Sequence, residues 1–250
     1  MKKTFLNGSK KLLTVMVQAQ KPDRIKELMD KSAPEGAEAF GMQFERLLPE
    51  YRNTDTYKEL FSYTDKPVYV TNYRRFSNED KSDLQLADEL LELADCGATL
   101  CDVMGDYFDR QPGEMTMDAD AVKKQIELIA GLHQKGAEVL MSSHVLKFTP
   151  SEKVLEIAME HQKRGADISK IVTWADTAEE ELENLKIINM LRENLKVPFL
   201  FLSGGSNCRL VRRIGGEIGC SMYLCVHEHD EFATKEQPLL TKLKSIRDNF

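Results

Sequence analysis

Hydrophobic positions along this chain gather into short runs, each followed by a longer stretch whose apolar residues recur every three or four positions. The runs cover 12–17, 39–44, 67–73, 99–104, 138–144, 167–174, 198–204 and 220–226. Each is short, apolar and bounded by polar or glycine-containing segments, which predicts a strand, and the stretches between them predict amphipathic helices. The stretch 118–136 opens on Asp118 and Asp120, where a helix dipole favours negative charge, and closes on Lys135-Gly136. Gly-Ala pairs at 97–98, 136–137 and 165–166 precede three of the runs. Glycine suits the position just past a helix end, so each strand is expected to start shortly after its pair. Regular alternation of β and α elements implies a parallel sheet. Eight such units in 250 residues predict an α/β fold of the (β/α)8 TIM barrel type, as a single domain over residues 1–250. The rival is an open doubly wound sheet, but no GxGxxG opens the first βα turn. The one glycine-paired loop after a strand, SGGSNCRL at 203–210, comes late.

Composition narrows the class. With 42% hydrophobic and 30% charged residues the chain can bury a sizeable core. A net charge of −7, with lysine and arginine spread along the whole length, argues against a nucleic-acid partner. Five cysteines form no CxxC pair and are odd in number, which suits a reducing compartment. The opening MKKTFLNGSKKLLTVMVQAQ is lysine-led, yet its apolar run is too short for a signal peptide and is interrupted by Gln18 and Gln20. No stretch reaches the roughly 20 apolar residues of a membrane span. The expectation is a cytoplasmic protein that acts on a small molecule, with no nucleic-acid or membrane partner.

In such barrels chemistry gathers at the C-terminal ends of the strands. That directs attention to 17–20, 43–46, 73–75, 102–106, 142–144, 170–174, 203–207 and 226–230. Within the sixth run, GADISKIVTW, Lys170 stands among Ile168, Ile171 and Val172. A lysine is almost never buried unless it is paired or put to use. Alternation places Ile168, Lys170 and Val172 on one face. Lys170 either snorkels outward between helices or points into the barrel as a nucleophilic amine. In the second case desolvation and nearby positive charge would loosen its proton, and the amine could form a Schiff base with a ketone. The preceding strand ends in SSH, so His144 falls on the adjacent strand as an acid/base partner.

The set SSHVLKFTPS, GADISKI and RRIGGE, in that order, resembles type I 3-dehydroquinate dehydratase, a (β/α)8 enzyme of the shikimate pathway, which leads to the aromatic amino acids. The resemblance is best over 138–237 and weaker before it. It implies Lys170 as the Schiff-base lysine and His144 as the general acid/base. It also implies Arg213 on the substrate carboxylate, with Arg212 as the alternative if the register slips by one, and Gln237 in a loop closing over the substrate. The implied reaction dehydrates 3-dehydroquinate to 3-dehydroshikimate. It needs no metal or organic cofactor, because the iminium is the electron sink. A homodimer is implied as well.

The chain also departs from that pattern. The second strand of the family carries glutamate-x-arginine-x-aspartate, where this chain has Gly41, Gln43 and Glu45. On the third strand Arg74 fits the family's substrate-contacting arginine only with one residue inserted. Asn78 and Glu79 then fall where an acid would orient the histidine. The serine of the last loop falls on Ala233, with Thr234 one residue off. Losing such groups changes which hydroxyls a site can read. Three alternatives stay open: a sibling lyase on a related cyclic hydroxy-ketone, a class I aldolase-like lyase on another keto acid or phosphosugar, and a non-catalytic metabolite-binding paralogue. SGGS at 203–206 offers a phosphate cradle or a tight turn. His227 and His229 in HEHD offer two metal ligands or an exposed polar loop. Trp174 walls the site or caps the core.

Overall fold

The computed structural model describes residues 3–6 and 11–250, and strands and helices alternate through them. In chain order these are β1 (Leu12–Val17), α1 (Pro22–Ser32), β2 (Ala39–Gln43), α2 (Thr54–Ser62), β3 (Val68–Thr71), α3 (Asp83–Asp95), β4 (Leu100–Met104) and α4 (Ala119–Gln134). There follow β5 (Glu138–His144), α5 (Ser151–Lys163), β6 (Ile168–Trp174), α6 (Ala178–Asn194), β7 (Phe199–Gly204), α7 (Arg209–Ile218), β8 (Met222–Cys225) and α8 (Leu240–Arg247). Of the lysine-led opening, residues 1, 2 and 7–10 lie outside the described residues.

The boundaries follow from local chemistry. Asp118 caps α4 by accepting from the Ala121 amide, while Ser82 with Gln85 and Thr177 with Glu180 form capping boxes on α3 and α6. Gly97, Gly136 and Gly165 each take a left-handed φ just past a helix, which is what the Gly-Ala pairs suggested. The run at 67–73 stops early as a strand. After Thr71 the Asn72 side chain donates through Nδ2 to the Leu86 carbonyl at 3.2 Å, and the Arg75 backbone amide turns back onto the Tyr73 carbonyl at 2.9 Å. Tyr73 is thereby lifted out of the ladder to the barrel mouth.

All eight strands lie in one parallel sheet, in the order β7-β6-β5-β4-β3-β2-β1-β8. Among the described residues no ladder joins β7 to β8, but the Ser221 amide donates to the Phe199 carbonyl across that seam at 2.7 Å. The result is a nearly closed (β/α)8 barrel. Strand alternation divides the core. Leu13, Val15, Phe40, Met42, Val70 and Val103 face out and pack with Ile25, Leu60 and Leu90 of the helices. Leu12, Met16, Tyr69, Leu100, Leu140 and Ile168 face inward and belong to a second cluster, which also takes in Ile157, Ile187 and Leu191 of α5 and α6. Full burial of each such aliphatic side chain contributes roughly 1.5–3 kcal/mol. Gly41 lies on that inner face, where an added Cβ would stand 2.2 Å from Met16 Sδ and 3.2 Å from a Tyr69 ring carbon. The space left at Gly41 is taken mainly by the Met16 thioether, with the edge of the Tyr69 ring beside it. Among the described residues no helix is long and apolar enough to cross a membrane.

Candidate active site

Lys170 points inward, and only 5% of it is exposed. β5 pairs with β6 so that Ser142 stands beside Lys170, and β4 brings Asp102 into the same interior layer. The amine lies 2.7 Å from Tyr73 Oη, 3.0 Å from Tyr69 Oη and 3.1 Å from Asp102 Oδ2. Both phenols donate to that same Oδ2, while Ser142 Oγ donates to Oδ1 at 2.5 Å. An ammonium has three N–H donors, and each has an acceptor here. Burial first, and then the Asp102 charge, push both phenols well above their ordinary pKa, so they keep their protons and donate. Where a positive charge was expected beside the lysine, the described residues place the Asp102 carboxylate. A buried pair of this kind costs about 3–5 kcal/mol to break from one side.

His144 ends β5 at the mouth and packs edge-on against the Tyr73 ring, with centroids 5.2 Å apart. Tyr73 therefore touches both the lysine and the histidine. The His144 Nδ1 lies 2.6 Å from Glu114 Oε2, which also accepts the His144 backbone amide at 3.1 Å. A carboxylate only accepts, so Nδ1 carries the proton and Nε2 remains as the basic nitrogen. Burial works against the Glu114 charge. The His144 charge, its two hydrogen bonds and the charge of Lys170 outweigh that and hold Glu114 below the usual carboxylate pKa. The backbone of Glu114 is itself pinned at φ +51°, with its carbonyl accepting from Ser143 Oγ at 2.6 Å. The sequence pattern had set Asn78 and Glu79 where the orienting acid should be. Asn78 is instead buried under the mouth and donates to Asn72 Oδ1 at 2.8 Å and the Tyr73 carbonyl at 2.9 Å. Glu114 comes from the loop between β4 and α4, which carries no periodic signal. Asp102 and Tyr73 fall within the strand-end windows, but nothing in the sequence assigned them a role.

These groups open onto a cavity of about 470 Å³ at the C-terminal ends of the strands. Of the residues expected to bind substrate, Gln43, Arg74, Thr234 and Gln237 line it. Gln237 is buried and its Oε1 has no partner, so it is an acceptor in need of a donor. Thr234 Oγ1 accepts from Gln18 at 3.2 Å, and Gln43 Oε1 accepts from Arg46 at 3.0 Å, which leaves the Gln43 amide nitrogen toward the cavity. Three expectations need correction. Arg213 is exposed and faces a neighbouring recess, whereas Arg212 is buried on the cavity wall with Nε on the Ser203 carbonyl at 2.7 Å. Successive helix residues point about 100° apart, so the one-residue slip exchanges their roles. Arg74 is committed elsewhere: Nε meets Asp83 at 2.6 Å, Nη1 meets Asp106 at 2.7 Å, and Nη2 serves both residues. Glu45 does not line the cavity, because the chain leaves β2 in a 3-10 turn at Phe44. Its buried carboxylate accepts from Thr71 Oγ1 at 2.9 Å, and burial raises its pKa.

The remaining motifs find structural uses. At the end of SGGS the Ser206 amide is taken by Asp176 Oδ1 at 2.9 Å, and the amide of the next residue, Asn207, by the Ala175 carbonyl at 2.9 Å. A carboxylate thus stands where a phosphate would have to sit. Gly205 has φ +94°, and a Cβ there would come 2.4 Å from the Ala175 carbonyl, so the tight turn explains the glycine. His227 faces Glu35 at 3.1 Å, while His229 Nε2 meets the Gln237 carbonyl at 2.9 Å and steadies the segment carrying Gln237. Trp174 walls the cavity and donates to Asp176 at 2.8 Å.

Comparison with known proteins agrees with this geometry. A 3-dehydroquinate dehydratase of Syntrophotalea carbinolica is 32% identical over 129 residues, 47% of this chain and 51% of that protein. The chain thus spans about half the length of that relative. The enzyme of that name from Lactiplantibacillus plantarum is 25% identical over 211 residues, 82% of this chain and 73% of that protein. Among solved structures, the 3-dehydroquinate dehydratase of Geobacillus kaustophilus superposes with a TM-score of 0.82 at 13% identity, covering 99% of this chain and 95% of that one, which shows the shared fold. A family model described as Type I 3-dehydroquinase matches residues 13–247, reaching well before the stretch where the motifs are densest. With a family model matched over nearly its whole length and with the histidine, lysine and arginine met in that order along it, this chain belongs to the type I 3-dehydroquinase family.

Proposed function

We propose that this chain is a Schiff-base lyase that dehydrates 3-dehydroquinate to 3-dehydroshikimate in the shikimate pathway. One observation carries the reading: a buried lysine in the wall of the cavity at the strand ends, near a histidine whose Nε2 is left basic by a carboxylate on Nδ1. Lys170 condenses with the C3 ketone, and the iminium acidifies the neighbouring C–H. His144 Nε2 removes that proton and later protonates the departing C1 hydroxyl, while Glu114 holds the ring and stabilises the imidazolium. Arg212 receives the carboxylate with its guanidinium fork. The free Gln237 acceptor and the Gln43 amide take substrate hydroxyls, with Thr234 beside them. Hydrolysis returns the lysine.

Gly41 and the committed Arg74 favour one second reading within this chemistry, a related cyclic hydroxy-keto acid with fewer hydroxyls to be held by charged groups. The phosphosugar alternative loses its support in the occupied amides of SGGS. A cytoplasmic homodimer accompanies the reading. The test is incubation with 3-dehydroquinate and borohydride followed by mass analysis. A reduced adduct on Lys170 supports the lyase, an adduct only with other ketones supports the second reading, and no adduct from any ketone refutes both.

A further inference from the structure

We propose that Tyr73 is itself a catalytic residue, whose hydroxyl relays protons between Lys170 and the substrate oxygen while the Schiff base forms and again as it is hydrolysed. The inference rests on the lyase reading above and adds a step that His144 does not perform.

The need for a relay follows from the resting geometry. All three N–H groups of Lys170 are engaged, so the amine has no lone pair to offer until a proton leaves. Tyr73 Oη is the nearest of the three acceptors, at 2.7 Å, and it also donates to Asp102. A hydroxyl that accepts from the nucleophile while donating to a carboxylate can pass a proton onward without moving. Tyr69 makes the same two bonds, but it lies within β3 on the inner face, deeper in the barrel. Tyr73 stands past the strand end at the mouth, where a ketone oxygen arriving at Nζ comes within its reach.

The protons balance within the cluster. Lys170 gives one to Tyr73 as Tyr73 gives its own to Asp102, leaving a neutral amine and a neutral acid. The amine attacks C3 and the carbonyl π pair moves onto oxygen. That oxygen takes the Tyr73 proton, which Asp102 replaces. The nitrogen, still carrying two protons, then passes one to Tyr73 as Tyr73 protonates the hydroxyl. The C–O bond breaks with its pair on oxygen, water departs, and the nitrogen lone pair closes the iminium. Of the three ammonium protons, two leave in the water and one stays on nitrogen. Asp102 ends as a carboxylate facing the iminium, so the net charge of the site never changes.

Rapid-quench borohydride trapping with 3-dehydroquinate, followed by the mass of the Lys170 adduct, tests the relay. Tyr73→Phe should slow adduct formation about 10²-fold or more, the scale of a lost acid–base group. Tyr69→Phe should slow it far less. Arg213→Gln, at an exposed position outside the cavity, should trap at the wild-type rate. A Tyr73→Phe protein that traps as fast as wild type, or a Tyr69→Phe protein slowed as much as Tyr73→Phe, overturns the relay and leaves the lyase reading standing. Absence of any wild-type adduct removes both. Should Tyr73→Phe fail to fold, the wild type still decides: trapping slows in D2O if the relay operates, and equal rates in H2O and D2O overturn it.

Discussion

Mild acid should destabilise this protein through one buried imidazole before most of its carboxylates titrate. His161 on α5 is fully buried, with Nδ1 3.0 Å from Ser169 Oγ and Nε2 3.0 Å from Ser143 Oγ. Ser143 gives its own proton to the Glu114 carbonyl, so its oxygen accepts from Nε2–H, and Nδ1 accepts from Ser169. A second ring proton would meet a donor. Burial, and then the charge of Arg164, bring the pKa down from 6.5 to about 3. The unfolded chain takes up a proton near 6.5 and the folded chain does not until about 3, so between those values the unfolded state binds more protons and stability falls as the pH falls. The loss is about 1.36 kcal/mol per pH unit, hence about 2 kcal/mol between pH 7 and 5 and about 5 kcal/mol across the window. Against a typical total of about 5–15 kcal/mol, even the first part is readable. Urea unfolding at pH 7 and pH 5 measures it, for wild type and His161→Gln. The variant starts less stable, but its pH 7-to-5 loss should be smaller by about 2 kcal/mol, since ordinary carboxylates titrate mostly below that range. Equal losses in the two proteins, or an imidazole resonance of His161 titrating near pH 6, would refute the assignment.

Two further substitutions test the geometry. Arg212→Gln should raise KM for the substrate about 10- to 100-fold, the scale of a lost charged hydrogen bond, while Arg213→Gln leaves it nearly unchanged; steady-state kinetics showing the reverse would restore the register of the family motif. Gly41→Ala puts a Cβ 2.2 Å from Met16 Sδ and should cost about 1–3 kcal/mol, seen as a lowered melting temperature, whereas an unchanged one would mean that Met16 and Tyr69 have room to spare.

What the sequence reveals and what it hides divide along a physical line. Strand positions were legible because each run is short, apolar and bounded by polar or glycine-containing residues, all within a few positions of it. The face of Lys170 was legible for the same reason, since alternation along β6 sets it with Ile168 and Val172, whereas only the closed barrel decides that this face looks inward. The partners of that lysine were not. Asp102 sits on β4 and Tyr69 on β3, and whether they share its layer depends on the stagger between strands that are not neighbours in sequence. Tyr73 depends on where β3 stops, which Asn72 and Arg75 settle through bonds invisible in the periodicity. Glu114 depends on a non-glycine residue held at positive φ in an irregular loop. Gly41 shows how the two levels connect. Read alone it is a missing carboxylate. In the barrel it is space taken by the Met16 thioether beside the Tyr69 ring, and the negative charge that balances the amine is supplied by Asp102 from β4. A buried ammonium demands a counter-charge and three acceptors, and the fold can draw them from any strand that reaches the same layer. That demand is why a departure in the motif on β2 is compatible with an intact lysine site.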